Sequence, residues 1–353
     1  MINTFDFIIV GQGLAGTTLA HTFLEQGKTV LVIDDTQETT SSKVAAGIWN
    51  PVVFKRYTAS FLAKELLLFN QDFYPKVEQK TGKSFYHPLP YYKLFSSADD
   101  VEHWRGKLNN PEVEGFLDSQ INTSLNHDYI APFGAAPINS CGFLDVKKYL
   151  NTSSEFFTQT NALLNEEFEY NHIEFLPDGL QYKNNIAQKI IFCEGLNTLN
   201  NPYWHKLPFM PAKGEVFTIK TKLSQTQKAI VSKGIFIVPL GNDTYRVGST
   251  YRWQDLSNTP TDNARQELIE KLDKMLAVPY DIVEHQAAVR PAAIDRRPFV
   301  GLHPENDKIG VLNGLGSRGV MLAPYFALQL AMKILHNKPL DAEVDVARVY
   351  EKK

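Results

Sequence analysis

The sequence predicts an α/β fold: a discontinuous, Rossmann-like dinucleotide-binding domain carrying an inserted, β-rich α+β substrate domain. Three observations predict it. The chain opens with two apolar strands around a glycine-rich turn and a helix. It closes on a second strand, glycine turn and helix. Strongly β stretches lie between the two.

Taken in order, Phe5–Val10 reads as a strand covered on both faces, because an unbroken apolar run has no side to give to water. Residues Gly11–Gly16 (GQGLAG) form a tight turn, Thr17–Gln26 a helix closed by Gly27, and Thr29–Asp34 a second buried strand. A Thr/Ser-rich loop leads into Thr40–Val52. Helical patterns then occur around Ser60–Phe69 and Asp72–Lys80, ending at Gly82. Short strands, prolines and aromatics from Phe85 to Asn139 indicate a different layer. Gly142–Leu150 reads as helical after a turn, and Lys189–Gly195 (KIIFCEG) as a buried strand ending in glycine. Lys213–Tyr251 holds three strands, the last two joined by Gly241-Asn242-Asp243. An amphipathic helix over Thr261–Leu276 follows, then a strand at Lys308–Leu312, the turn Asn313–Gly319 and a helix to about Asn337. The expected division gives 1–82, 140–205 and 285–353 to the nucleotide-binding domain, and 83–139 and 206–284 to the substrate domain.

Composition narrows the class. With 353 residues, 43% hydrophobic and 21% charged, the chain has room for one large domain or two medium ones. A net charge of -3 and a pI near 6.3 argue mildly against a nucleic-acid partner, leaving room for a local basic patch. The two cysteines, Cys141 and Cys193, make neither a metal-ligand spacing nor a disulfide framework, so no metal and a reducing cytoplasm are expected. The first strand starts too early for a signal peptide. Val320–Leu335, interrupted by Pro324, Gln329 and Lys333, reads as a packed helix rather than a membrane span.

The Gly11–Gly16 turn matches G-x-G-x-x-G with a strand before it, a helix after it and an acid about 20 residues on. Gly11 permits the turn, Gly13 lets backbone approach a pyrophosphate, and Gly16 lets the helix pack on the strand. Leu14 and Ala15, within the turn, are further candidates, and the helix that follows offers free amides and a positive dipole end that suit phosphates. Asp34 is the candidate acceptor for a ribose hydroxyl, with Asp35 as the alternative.

Several further segments, taken jointly, resemble the D-amino acid oxidase superfamily of FAD-dependent oxidoreductases, and the glycine oxidases most closely. They are TSSKVAAGIWNP (Thr40–Pro51), PAKGE (Pro211–Glu215), Ile237–Tyr251, AVRPAAIDRRPFVGLHPE (Ala288–Glu305) and the final glycine turn with Met321–Pro324. Residues 53–140 match poorly. The resemblance implies FAD, held without a covalent bond because no cysteine follows Cys193. It implies that Ser42, Ala45, Ala46 and Gly47 run from the ribose to the flavin ring, and that Gly195 ends the strand closing the sheet. Gly316, Ser317, Gly319 and Val320 would face the flavin's pyrimidine end, where a helix N-terminus suits developing negative charge.

The substrate it implies is a small amine, oxidised at the carbon beside nitrogen, with dioxygen as acceptor. Positioning carries most of that chemistry, and a guanidinium fork is the natural clamp for a substrate carboxylate. Arg290 is the first candidate, its alternative being a structural pair with Asp295. Arg318 is the second, and Tyr251 is expected over the flavin. Phe236 stands where glycine oxidases carry a substrate-contacting tyrosine, which puts glycine itself in doubt. GLGSRG (Gly314–Gly319) matches instead the oxidase domain of the bifunctional enzyme that modifies the tRNA wobble uridine, so oxidation of that carboxymethylaminomethyl group is the rival reading. A third, a flavin-binding module without turnover, leaves Arg290 and the Ile237–Tyr251 hairpin without a purpose.

Overall fold

A computed structural model describes residues 2–36, 39–224 and 228–350, so the last three residues of the expected segment 285–353 lie outside it. Strand Asn3–Val10 pairs in parallel with Val30–Asp34 on one side and Asn185–Phe192 on the other. Leu163–Asn165 extends the sheet beyond Val30–Asp34, and Asn306–Asn313 extends it beyond Asn185–Phe192, both in parallel. Phe299–His303 forms an antiparallel edge. Ile8, Ile9, Ile190, Ile191 and Val311 are buried, as strands covered on both faces require. The carboxyl ends of these parallel strands converge on one edge, the place where open α/β sheets take ligands.

Helices Leu14–Glu25, Ala63–Thr81, Val146–Gln159 and Gly319–His336 pack against one another in the main core. The last contains Pro324, which has no N–H to donate to the Val320 carbonyl. Two side chains of Ala63–Thr81 replace it: Asn70 Nδ2 and Tyr74 Oη donate to that oxygen at 3.1 and 2.9 Å. A buried carbonyl left unpaired would cost about 1–3 kcal/mol, so this pair both repairs the helix and fixes where it begins. Among the described residues, Gly316–His336 is the stretch long and apolar enough to cross a membrane, and half of it is buried within the protein.

A second, seven-stranded sheet runs in the order Asp281–Arg290, Ala212–Lys220, Thr244–Gly248, Phe236–Gly241, Ile230–Ser232, Tyr91–Leu94, Ala135–Ile138. Residue 285 falls inside its first strand, so a boundary there cuts the ladder that runs from Lys220↔Asp281, through a register shift at Thr218/Ile219, to Ala212↔Arg290. That ladder delivers Arg290 from the antiparallel sheet to the edge of the parallel one.

Other elements differ from the sequence expectation for local reasons. The two helical patterns after residue 60 are one 19-residue helix, Ala63–Thr81, with Pro75 inside and Gly82 closing it at φ 69°. Gly142–Leu150 divides into a strand, Gly142–Leu144, and a helix starting at Val146, because the Asp145 carboxylate accepts the Lys148 N–H at 3.0 Å and caps it. The Phe85–Asn139 stretch also contains helix Ala98–Arg105, capped by Ser97.

The first helix carries a buried histidine. His21 packs against Tyr149, Phe156 and Phe157, with Nε2 2.9 Å from Ser153 Oγ. Burial, helped by nearby Lys80, pushes its pKa from 6.5 down to about 3. The unfolded chain therefore binds the extra proton first. The stability His21 contributes is complete above pH 6.5 and is lost as pH falls toward 3. Between about pH 7 and about pH 4.5, urea unfolding should show a loss of roughly 2–3 kcal/mol from this group. His21→Gln should lack that component; an identical acid loss in the variant would rule the histidine out as its source.

Candidate active site

A cavity of about 680 Å³ runs along the carboxyl edge of the parallel sheet, a size suited to a large ligand. One end is built by the first turn. Gly11, Gly13, Leu14 and Ala15 line it, and the Leu14 N–H donates to Ser42 Oγ at 3.1 Å. The other first-turn amides have no acceptor within their own helix, which is the condition for holding phosphate. Gly16 lies behind this wall rather than in it. A Cβ at Gly16 would sit 1.9 Å from the Gly11 carbonyl oxygen, so its role is the close approach of helix to turn.

Asp34 is held facing that end. Its Oδ2 accepts the Gln12 N–H at 2.6 Å and its Oδ1 accepts the Thr36 N–H at 2.8 Å, leaving each oxygen capacity for a hydroxyl donor. Asp35, Ser42, Ala45, Ala46 and Gly47 line the same side. So do Glu166, Glu167 and Phe168, which the sequence reading missed. They follow the three-residue strand Leu163–Asn165, too short for its periodicity to be read.

The opposite end is assembled from three distant segments. Asn313 Nδ2 donates to the Gly195 carbonyl at 2.9 Å and to Thr198 Oγ1 at 2.7 Å, tying two strand ends together. The Gly316 N–H donates to the Pro291 carbonyl at 3.1 Å, and Ala292 bridges Leu315, so the final glycine turn lies against the arginine-bearing segment. Gly195, Gly316, Ser317, Gly319 and Val320 line this end, and helix Gly319–His336 starts there. Cys193, also in the wall, is buried, and burial pushes its thiol well above the ordinary range, so it is a packed residue.

Arg290 stands in the wall between these ends. Its Nη2 donates to Ser249 Oγ at 2.8 Å, while its Nη1 is shielded from solvent and has no partner. Among the described residues no carboxylate pairs with it, and burial lowers its pKa. Asp295, the expected structural partner, pairs instead with Arg348 at 3.3 Å. The guanidinium lies flat where a side chain on residue 214 would be: a Cβ on Gly214 would come within 2.0 Å of Nη2. Gly214 and Ser249, neither foreseen, are therefore what orients this arginine.

Besides Gly16, two expected residues are not in the wall. Tyr251 is 37% exposed, its ring 5.2 Å from the Arg290 guanidinium, so it supports the arginine from the rim rather than covering the cavity. Arg318 occupies the N-cap position of the last helix without a capping hydrogen bond from its side chain, outside the lining; burial and nearby Arg296 lower its pKa.

A glycine-turn helix start with an oriented acid at one end, and a second helix start beside a partly buried arginine at the other, fit an extended dinucleotide with a substrate at its far end. This combination defines a dinucleotide-dependent oxidoreductase. Residues 6–332 match the family described as DAO, FAD dependent oxidoreductase, and the chain belongs to that family. It is similar to the tRNA 5-methylaminomethyl-2-thiouridine biosynthesis bifunctional protein of Marinobacter nauticus, 23% identical over 99% of this chain but only 59% of that longer protein. It is also similar to a glycine oxidase of Pseudomonas aeruginosa, 24% identical over 94% of this chain and 95% of the relative. Among solved structures, glycine oxidase from Geobacillus kaustophilus superposes with a TM-score of 0.78 at 19% identity, covering 98% of each chain.

Proposed function

We propose that this FAD-dependent enzyme oxidises a small primary or secondary amine that carries a carboxylate, of the glycine, sarcosine or D-amino acid kind. The observation that carries this reading is Arg290: a partly buried cation with a shielded, unpartnered Nη1, no counter-ion among the described residues and a place in the cavity wall. A charge kept that way is costly unless a ligand completes it. A carboxylate is the anion whose two oxygens match the guanidinium fork.

FAD, when bound, supplies the two-electron acceptor. Arg290, set by Ser249 and Gly214, fixes the carboxylate and with it the carbon beside the nitrogen. The neutral amine's lone pair would form C=N as the C–H bond breaks and its electron pair leaves with the hydrogen to that acceptor, and water then hydrolyses the imine to a carbonyl and ammonia, or an amine where the nitrogen is substituted. Orientation of this kind can supply about 7–11 kcal/mol of a barrier, so no acid–base side chain is required. Dioxygen is the proposed final acceptor.

The test is anaerobic mixing of holoenzyme with glycine, sarcosine and D-amino acids. Loss of the flavin's visible absorbance with at least one is expected; none bleaching it would end the reading. A second reading, action on the carboxymethylaminomethyl group of tRNA wobble uridine, is favoured by the Gly314–Gly319 motif and the Marinobacter relative. Undermodified tRNA as a further arm of the same experiment separates the two.

A further inference from the structure

Three consecutive residues of strand Ala212–Lys220 serve two sides of it. Gly214 seats the Arg290 guanidinium, so Lys213 and Glu215 point from the strand's other face. Both are 1% exposed. A charge buried that deeply is kept only where it is paired and hydrogen-bonded. The partners come from one segment, the strap between Gly248 and helix Asp262–Asp273. The Lys213 ammonium donates to Asp255 Oδ2 at 2.5 Å, to Ser257 Oγ at 3.3 Å and to the Thr259 carbonyl, one acceptor for each of its three N–H donors. Glu215 accepts both the N–H and the hydroxyl of Thr261, each at 2.9 Å.

By composition the strap has little to hold it in one course, since Ser257-Asn258-Thr259-Pro260 is a run of turn and loop residues. What orders it is where the grip falls. Residues 255, 257 and 259 meet Lys213, and the two residues skipped, Leu256 and Asn258, stand in the cavity wall. The start of the strap is tied to the same place: Ser249, also in the wall, accepts from Arg290 Nη2, and the Lys213 backbone pairs with Arg252 in both directions at 2.8 and 3.0 Å. Leu256 is 48% exposed, an apolar side chain that a free loop would fold away from water and that the fastened strap cannot. Lys213 itself is not a wall residue.

We infer that Lys213 is a positioning residue for substrate selection: by fastening the strap it holds Leu256 and Asn258 in the wall, where they limit the bulk an amine carries next to its carboxylate, an assignment that rests on Arg290 being the clamp of the proposed oxidation.

Holoenzyme is titrated with acetate and with trimethylacetate, neither of which can be oxidised as an amine, and binding is read from perturbation of the flavin spectrum. The parent should prefer acetate. Leu256→Ala and Lys213→Met should each shift the ratio of the two affinities toward trimethylacetate by roughly tenfold, with FAD retained. General loss of stability would weaken both acids together, whereas release of the strap changes their ratio. Tryptic cleavage after Arg252, located by mass, should become faster in Lys213→Met and stay slow in Leu256→Ala. If Lys213→Met does not fold, Asp255→Ala combined with Ser257→Ala removes two of the three acceptors and carries the same expectations. A ratio unchanged in Leu256→Ala, or a strap that is released without any change in the ratio, overturns the assignment. If no amine bleaches the flavin while the ratio still shifts, amine oxidation fails and the role of Lys213 stands.

Discussion

Replacing Gly16 with alanine should give protein that purifies without FAD. The added Cβ would lie 1.9 Å from the Gly11 carbonyl oxygen and 3.2 Å from the Cys193 Cβ. The first obstacle is backbone, which cannot rotate aside as a flexible side chain would. The helix must lift from the turn, and the amides that Gly13, Leu14 and Ala15 present to the cavity move with it. Overpacking of this kind costs about 1–3 kcal/mol, occasionally more, so FAD affinity should fall by roughly 5- to 150-fold. Flavin content after gel filtration and the FAD dissociation constant check this. A variant retaining one FAD per chain at unchanged affinity would show that the close approach does not govern the site.

The second large effect concerns Arg290. Arg290→Met should leave FAD bound and lower kcat/KM for a carboxylate-bearing amine by roughly 30- to 4,000-fold, the range for losing one partner of a buried charged pair, about 2–5 kcal/mol. Arg290→Lys should recover only part, since an ammonium keeps the charge and loses the fork. The same Met variant should be more stable than the parent without substrate. It removes a shielded Nη1 with no partner and a cation with no carboxylate beside it, a cost of about 1–3 kcal/mol. Thermal unfolding of the substrate-free holoenzyme reads this directly. Activity lost together with stability would mark Arg290 as a structural residue, whereas activity lost with stability gained marks a residue kept for its ligand.

The sequence by itself determined the nucleotide end. The Gly11–Gly16 turn, its flanking strand and helix, and Asp34 at the end of the next strand lie within a few dozen residues, where chain period and glycine geometry act locally. The same local signals exposed the final strand, glycine turn and helix, though not that the helix's missing hydrogen bond at Pro324 is supplied by Asn70 and Tyr74. Only the tertiary structure decided the substrate end. Whether Arg290 served Asp295 or the cavity turned on Arg348, 53 residues beyond Asp295, taking that carboxylate. Gly214, within one strand, and Ser249, just past the end of another, orient the guanidinium from far away in sequence, and Tyr251 and Arg318 stand outside the cavity lining, on the segment after Gly248 and at the N-cap of the last helix. The physical reason is range: backbone conformation follows from neighbours along the chain, whereas the pairing of a charged side chain follows from whatever the completed fold brings within about 4 Å of it.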